Sequence, residues 1–213
     1  MIRALILLLG LSAAIAAPVA TFAMSGVDGW EIGPTVRGRN YSIGMPQRPR
    51  SAPAGGVTFD FPTEGNGQID AMTAPVEPLA DARAITLRYR VDLARGARFV
   101  ADERPNEAAT VSLYFQQRDD NWSARGRYGS YRWYAPVRVV LPLEPGLYEV
   151  TVRLDEAWTN VNGQPVSQDR SGFDAALRDT ARVGLAFGSS SLRSHGVYAT
   201  GPARFTLLRF EIE

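Results

Sequence analysis

Apolar and polar residues alternate along most of the chain beyond residue 57. Successive side chains of a β-strand point to opposite faces, so this period of two predicts strands with one apolar and one polar face. The clearest runs are residues 57–61, 85–93, 111–115, 133–141 and 148–154. Antiparallel sheets with one face in water produce this pattern. It predicts an all-β fold, a single antiparallel β-sandwich of the jelly-roll type.

Two runs near the C-terminus depart from simple alternation. In residues 183–188 large apolar residues alternate with glycine and alanine, which leaves one strand face bare. A bare face lets another element approach closely. In residues 205–212 the apolar phase changes near Leu207, which predicts either a bulge there or cover on both faces.

Residues 171–180 are predicted to form one short helix. Ser171 and Asp174 have the three-residue spacing of a capping box, and Phe173 and Leu177 lie four apart on one helix face. A helix of about two turns would plug one end of the sandwich.

The first 56 residues divide into two parts. Residues 1–23 resemble a secretory signal peptide, with Arg3 before an apolar run and small residues at the cleavage position. An uncleaved anchor is the alternative, but the run is shorter than the roughly 18 residues that span a bilayer. Residues 24–56 form an irregular, Gly- and Pro-rich N-terminal arm in which Trp30 is expected to pack against the sandwich. Residues 57–213 are the β-sandwich domain.

The composition of the chain argues against several classes of function. The chain has no cysteine and one histidine, which excludes thiol chemistry and the usual zinc sites. Its net charge of +1 argues against nucleic acid as a partner. We expect a periplasmic or secreted protein with no membrane span after signal cleavage.

The candidate binding surface lies on two predicted strands and the loop that joins them. Aromatic faces pack on sugar rings, and Arg and Gln side chains hydrogen-bond hydroxyls and carboxylates. The arginine fork suits uronic carboxylates in particular, so an acidic oligosaccharide is the expected ligand. The alternative is that arginines such as Arg88, Arg90 and Arg153 form ion pairs on a solvated sheet. The predicted ligand-binding residues are Tyr114, Gln116, Arg118, Trp122, Arg125, Tyr128 and Tyr134.

The sequence also contains candidate residues for catalytic and metal sites. His195, Tyr198 and Arg193 could act as base, acid and charge neutraliser of a polysaccharide lyase. A glycoside hydrolase would need two carboxylates across a cleft. The candidates for that pair are Asp60, Asp70, Asp119, Asp120, Asp155 and Glu156. Residues 119–121, Asp-Asp-Asn, could ligate calcium through oxygen.

The alternating strands, the run at 183–188 and the closing run at 205–212 give the chain a resemblance to carbohydrate-binding-module and galactose-binding-like jelly rolls. The resemblance is architectural, covers residues 57–213 and implies binding of glycans without catalysis. The expected function is therefore an exported, non-catalytic domain that binds a glycan or cell-envelope polysaccharide. A polysaccharide lyase or glycoside hydrolase is the alternative, and a structural envelope protein is the third.

Overall fold

A computed structural model describes residues 22–23, 29–53, 55–65 and 69–213 of the chain. The predicted signal peptide lies outside these residues, apart from the backbone of its last two. Within the described part of the chain, no helix has the length and apolar character needed to cross a membrane.

Antiparallel strands are the main secondary structure of the described chain. We number them, in chain order, β1 (Phe22–Ala23), β2 (Glu31–Gly33), β3 (Thr35–Val36), β4 (Arg39–Asn40), β5 (Arg50–Ser51), β6 (Val57–Asp60), β7 (Asp70–Pro75), β8 (Ala84–Leu93), β9 (Phe99–Ala101), β10 (Ala109–Gln117), β11 (Arg132–Tyr134), β12 (Leu141–Pro142), β13 (Gly146–Arg153), β14 (Thr159–Asn160), β15 (Thr180–Ser189), β16 (Val197–Ala199) and β17 (Ala203–Ile212). One α-helix, α1, spans Arg170–Arg178, and short 3-10 helices span Gly126–Ser130 and Val137–Val139.

The strands form two large sheets. The first has the order β13-β8-β17-β6-β5, with β1 beside β17, and the second has the order β14-β11-β10-β15-β7-β2, with β12 beside β10. Two-stranded ribbons join β3 to β4 and β9 to β16. The pairing of β17 with β8 shifts between Leu207 and Arg209, which confirms the bulge predicted there.

The inner faces of the two sheets meet in one apolar core, which confirms the β-sandwich. At its centre Phe59 of the first sheet contacts Phe187 of the second, with ring centroids 5.5 Å apart. Trp30 of the N-terminal arm is 2% exposed and packs edge-on against Phe210, as expected for a packing role. The apolar positions of the alternating runs are predicted to face the core. Val150 is only partly buried, and the following of these positions are buried: Leu87, Tyr89, Leu113, Phe115, Trp133, Val152, Leu185, Phe210 and Ile212.

The strand predicted over residues 133–141 was wrong beyond its first residues. Strand β11 ends at Tyr134, and Pro136 then precedes the 3-10 helix Val137–Val139. Proline has no N–H to donate to a neighbouring strand, so the ladder stops before it. Apolar residues with a period of two continue through this turn, which is why the pattern alone suggested a longer strand.

The predicted helix exists, but a different residue caps it. Helix α1 begins at Arg170, and the Asp169 carboxylate accepts a hydrogen bond from the Gly172 N–H at 3.1 Å. Ser171 lies inside the first turn and is not the cap. The side chain of Ser130 also donates to the Asp169 carboxylate, so this one residue ties the helix to the loop before β11.

One buried carboxyl lies at an end of the core. Asp70, the first residue of β7, is 4% exposed and accepts a hydrogen bond from the Val197 N–H at 2.9 Å. Burial, reinforced by the neighbouring Asp102 carboxylate, raises the pKa of Asp70 to about 7 despite that hydrogen bond. The native protein therefore keeps a proton on Asp70 at pH values where the unfolded chain has lost it.

This pKa predicts a loss of stability as the pH rises. Between about pH 4 and about pH 7 the folded state binds more protons at Asp70 than the unfolded state, so the free energy of unfolding falls across that window. Asp70→Asn mimics the protonated carboxyl, so its stability at pH 8 should exceed that of the parent by up to about 4 kcal/mol. At pH 4 the two proteins should be similar. Urea denaturation from pH 4 to pH 8 measures the difference.

Asp60→Asn is the contrasting control. The hydrogen bond from Arg204 lowers the pKa of Asp60, so this group stabilises the fold above the pKa of the unfolded chain and the benefit is lost as the pH falls. Asp60→Asn should therefore give no gain at pH 8. Equal stability of Asp70→Asn and the parent at pH 8 would contradict the raised pKa of Asp70.

Candidate functional site

The outer face of the second sheet is built around one strand register. Tyr114 of β10 lies opposite Tyr134 of β11 on one side and Gly184 of β15 on the other. A side chain at position 184 would collide with the Met72 carbonyl oxygen and come within 2.9 Å of Tyr114 Cε1. The face predicted to be bare is thus occupied by the Tyr114 ring, which lies across Gly184.

Tyr114 and Tyr134 were predicted to bind a ligand from the solvent-facing side of their strands, but the structure buries both side chains. Tyr114 is 0% exposed and Tyr134 is 4% exposed. They form a small apolar cluster with Ala71 and Ala186, and Trp122 and Val161 pack against it. The Trp122 ring meets the Tyr114 ring edge-on at 5.8 Å. The tyrosines are buried because the loop between β10 and β11 folds back over the sheet.

A buried ion pair holds this loop in place. Arg132 Nη1 lies 2.8 Å from Asp120 Oδ2, and both side chains are nearly inaccessible. Asp120 Oδ1 accepts a hydrogen bond from the Trp122 N–H at 3.1 Å, and the Arg132 guanidinium carbon lies 3.9 Å from the Trp122 ring centroid. Burial raises the pKa of the Asp120 carboxyl against the opposing effect of Arg132. Burying this ion pair therefore costs desolvation energy. The same two residues hold Trp122 in position through its N–H and its ring.

The backbone of the same loop is strained. Asp119, Trp122 and Ala124 have φ angles of 62°, 63° and 55°, in the left-handed region that most non-glycine residues avoid. For a bulky residue such as Trp122 this conformation persists only where surrounding contacts impose it. The contacts with Asp120 and Arg132 supply that constraint.

Beside Trp122 the face opens into a recess of about 170 Å³, which we call the Trp122 recess. Gln116 and Thr73 line it from the sheet, and Trp122 lines it from the loop. On the remaining side β2 of the N-terminal arm contributes Glu31, which pairs with Arg182 at 3.2 Å. The arm is therefore part of the wall of the recess.

Unpartnered polar atoms gather on this face. Six buried side-chain nitrogen or oxygen atoms of the described residues have no hydrogen-bond partner, and five of them belong to the outer face of the second sheet. Those five are Thr73 Oγ1, Ser112 Oγ, Tyr114 Oη, Gln116 Oε1 and Arg132 Nε. The side chains of Thr73 and Tyr114 nevertheless interact with each other, as do those of Arg132 and Tyr134, so Ser112 Oγ and Gln116 Oε1 are the two that lack a partner. Buried polar groups are normally satisfied, and an unsatisfied one costs about 1–3 kcal/mol. These atoms are enclosed, and two of the residues that carry them, Gln116 and Thr73, also line the Trp122 recess.

On the other side of Tyr134 lies a larger opening of about 380 Å³, which we call the Arg193 cleft. The loop between β15 and β16 contributes Arg193 and His195, and the segment after β14 contributes Asn162. Arg193 Nη1 donates to the Ala135 carbonyl at 2.7 Å, and the Tyr134 hydroxyl is 3.1 Å from Ser194 Oγ. His195 Nδ1 lies 3.0 Å from Glu103 Oε1.

The structure brings together part of the predicted binding set. Gln116 and Trp122 line the Trp122 recess, with Tyr114 in contact with Trp122, and Tyr134 lines the Arg193 cleft. The other predicted members do not line either opening. Arg118 is exposed and paired with Asp179 at 3.3 Å, Arg125 is exposed, and Tyr128 packs on Tyr131 with centroids 5.1 Å apart.

Several wall residues were not predicted from the sequence. Thr73, Glu31 and Arg182 lie on strands other than those of the predicted binding surface. Arg132, which does not line the recess but holds Asp120 and Trp122, was not predicted either. Arg132 and Gln116 are cross-strand partners, so the hairpin register was the signal that could have found Arg132.

The three residues proposed for a polysaccharide lyase site do not all line one cleft. Arg193 and His195 line the Arg193 cleft, whereas Tyr198 lies on β16, and its Cε1 is 3.1 Å from the position a side chain at Gly65 would take. Tyr198 is not part of the cleft lining.

The arginines of the first sheet are engaged in exposed ion pairs, as the alternative interpretation expected. Arg88 pairs with Glu149, Arg90 with Asp92 and Arg153 with Asp155, at 3.8, 3.1 and 2.6 Å. The described residues contain no group of three or more His, Cys, Asp or Glu side chains placed to hold a metal ion. Asp120, from the stretch considered for calcium, is bound to Arg132.

No family model matches the chain, and no curated protein matches it. Solved structures with a similar outline include the xylan-binding module CBM15, which is 14% identical with a TM-score of 0.45 over 91% of this chain and 96% of that one. A family 11 carbohydrate-binding module of Clostridium thermocellum is 8% identical with a TM-score of 0.42 over 92% and 88%. The adhesin domain of Lys-gingipain from Porphyromonas gingivalis is 13% identical with a TM-score of 0.39 over 92% and 98%. The architectural resemblance to carbohydrate-binding modules is thus found among solved structures, and at TM-scores below 0.5 it assigns no ligand or site to this chain.

The buried pair predicts that Asp120 matters far more to stability than its neighbour. Asp120→Asn leaves the Arg132 guanidinium buried without an anion, and we expect the free energy of unfolding to fall by about 3 kcal/mol. Asp119→Asn removes the same charge from an exposed position and should change stability by less than about 0.5 kcal/mol. Denaturant titration of both variants makes the comparison. Similar effects at the two positions would mean that the pair does not fix the loop.

Proposed function

We propose that this chain is an exported, non-catalytic glycan-binding domain whose ligand binds on the outer face of the second sheet, at the Trp122 recess. The observation that carries the proposal is the set of unpartnered buried polar atoms on that face. Gln116, which supplies one of them, lines the recess directly, together with Thr73. A sugar offers hydroxyl groups that both donate and accept hydrogen bonds, which such atoms need.

The aromatic side chain at the edge of the recess supports the same ligand class. Trp122 is partly exposed while the other three tryptophans of the chain are buried. Asp120 holds its backbone N–H and Arg132 lies over its ring, so little conformational freedom is lost when a ligand packs against it. An immobilised aromatic beside unsatisfied polar atoms matches the mixed apolar and hydroxyl surface of a sugar ring.

We further propose that the oligosaccharide is acidic. Arg125 and Arg127 are exposed in the loop that carries Trp122, and neither forms an ion pair within the described residues. Their charge is available to an anionic ligand that reaches past the recess. Arg118, the arginine first expected in this role, already has Asp179 as its partner.

A polysaccharide lyase remains the second candidate, because Arg193 and His195 share one cleft. A glycan array combined with a product assay separates the two functions. Binding without an unsaturated or reducing-end product supports the binding domain. Product formation supports the enzyme, and an array without any bound glycan would overturn both.

Gln116→Met tests the role of the recess with the glycan that the array identifies. Methionine has a similar length and removes an unsatisfied buried carbonyl, so thermal stability should be unchanged or slightly higher. Affinity should fall by about 1–3 kcal/mol, because the ligand loses a buried hydrogen bond. Calorimetric titration and a thermal melt of the same sample give both values.

Gln117→Met is the matched control on the adjacent residue. Gln117 donates to the Asp179 carboxylate at 3.3 Å and does not line the recess. This variant should lose some stability and keep its affinity. If Gln116→Met binds as tightly as the parent, the recess is not the glycan site.

A further inference from the structure

The Arg193 cleft is separate from the Trp122 recess and has a different electrostatic character. The Trp122 recess is lined by Glu31, Asp120 and Arg182, so its charges are paired. No Asp or Glu side chain is among the residues that line the Arg193 cleft. Arg193 and His195 are the lining residues that can carry positive charge.

Arg193 has no carboxylate partner within the described residues. Two acidic groups that contact the same loop are engaged with other residues, since Glu103 contacts His195 and Glu107 accepts hydrogen bonds from Ser191. The surroundings of Arg193 are partly buried, and burial lowers the pKa of its guanidinium. A partly desolvated cation without a counter-charge is costly, and an anion that enters the cleft would relieve that cost.

The hydrogen bond of Arg193 to the described residues uses one nitrogen of its guanidinium. Its Nη1 atom donates to the Ala135 carbonyl at 2.7 Å, and its Cζ atom lies 5.7 Å from the Tyr134 ring centroid. No hydrogen bond to a described residue involves the Nε–Nη2 edge. This edge presents two parallel N–H donors, the arrangement that binds a planar carboxylate in bidentate fashion.

The rest of the cleft suits a sugar ring attached to that carboxylate. Val137, 68% exposed, and Val161 provide apolar surface next to the Tyr134 ring. Asn162 and Ser190 add polar side chains to the lining. The volume of about 380 Å³ lies within the range of small-molecule sites.

We infer that the Arg193 cleft is a second subsite that binds the carboxylate of a uronic acid residue, with Arg193 as the residue that selects the acid. The inference rests on the proposed function, because that function makes the ligand a glycan. The subsite itself is defined by the cleft, and it can be tested with a monosaccharide.

Sodium D-glucuronate is the probe, and the readout is the Arg193 Nε–H resonance in a two-dimensional 15N NMR spectrum of the mature protein. The resonance is assigned by its disappearance in Arg193→Lys. We expect a saturable shift with glucuronate, roughly tenfold or more weaker in high salt, and no shift with D-glucose at the same concentration. Sodium sulfate in a parallel titration distinguishes a carboxylate site from one that takes any oxyanion, and an equal response to sulfate would overturn the selection of uronic acid.

Affinity measurements with an acidic oligosaccharide and its carboxyl-reduced form complete the test. Arg193→Gln keeps a donor for the Ala135 carbonyl but removes the charge, so preference for the acidic form should fall by roughly tenfold to a hundredfold. Arg193→Lys should keep part of that preference. Arg88→Gln makes the same charge change on the opposite face of the sandwich and should keep all of it.

The outcomes separate this inference from the proposed function. Loss of acid preference in Arg193→Gln, with affinity for the reduced form retained, supports the subsite. An unchanged preference overturns the subsite and leaves glycan binding intact. A glucuronate shift at Arg193 in a protein that binds no polysaccharide would support the subsite while refuting the glycan-binding face. Absence of any shift with glucuronate would overturn the subsite directly.

Discussion

The candidate site depends on the pairing of three neighbouring strands, in which Tyr134, Tyr114 and Gly184 lie side by side. Only glycine leaves room for the Tyr114 ring at that point, because a larger residue would meet the Met72 carbonyl and the ring itself. With the Tyr114 ring beside Gly184, the Trp122 ring packs edge-on against it. The register therefore determines where the loop rests and where the face remains open.

Features that lower stability are concentrated on the outer face of the second sheet. The sandwich has a continuous apolar core, yet the outer face of the second sheet retains a buried ion pair, three left-handed non-glycine residues and a group of unsatisfied polar atoms. Each of these features destabilises a protein unless something compensates for it. Their location at one surface, beside two openings, is the physical reason for assigning binding to that surface.

The sequence predicted the fold well because the core strands alternate cleanly. The apolar positions of residues 85–93 and 111–115 identified the inner faces, and the phase change near Leu207 identified the bulge. The candidate site was predicted only in part, since alternation identifies a face but not what covers it. Tyr114 was placed on the correct side of β10, but its burial depends on the backbone of Trp122 and on the Asp120–Arg132 pair, which have no signature in a pattern of period two. The sequence presented Arg193 as a candidate catalytic residue, whereas the structure shows a partly buried arginine without a carboxylate partner among the described residues.

The most direct test of the account uses the tryptophans themselves. Trp30, Trp133 and Trp158 are buried in the core, so Trp122 is the one of the four that solvent and a ligand can reach. Saturation with the bound glycan should shift the emission to shorter wavelength and reduce quenching by acrylamide, and Trp122→Phe should abolish both changes. A glycan that binds with full occupancy and alters neither the emission nor the quenching of the parent protein would contradict binding at the Trp122 recess.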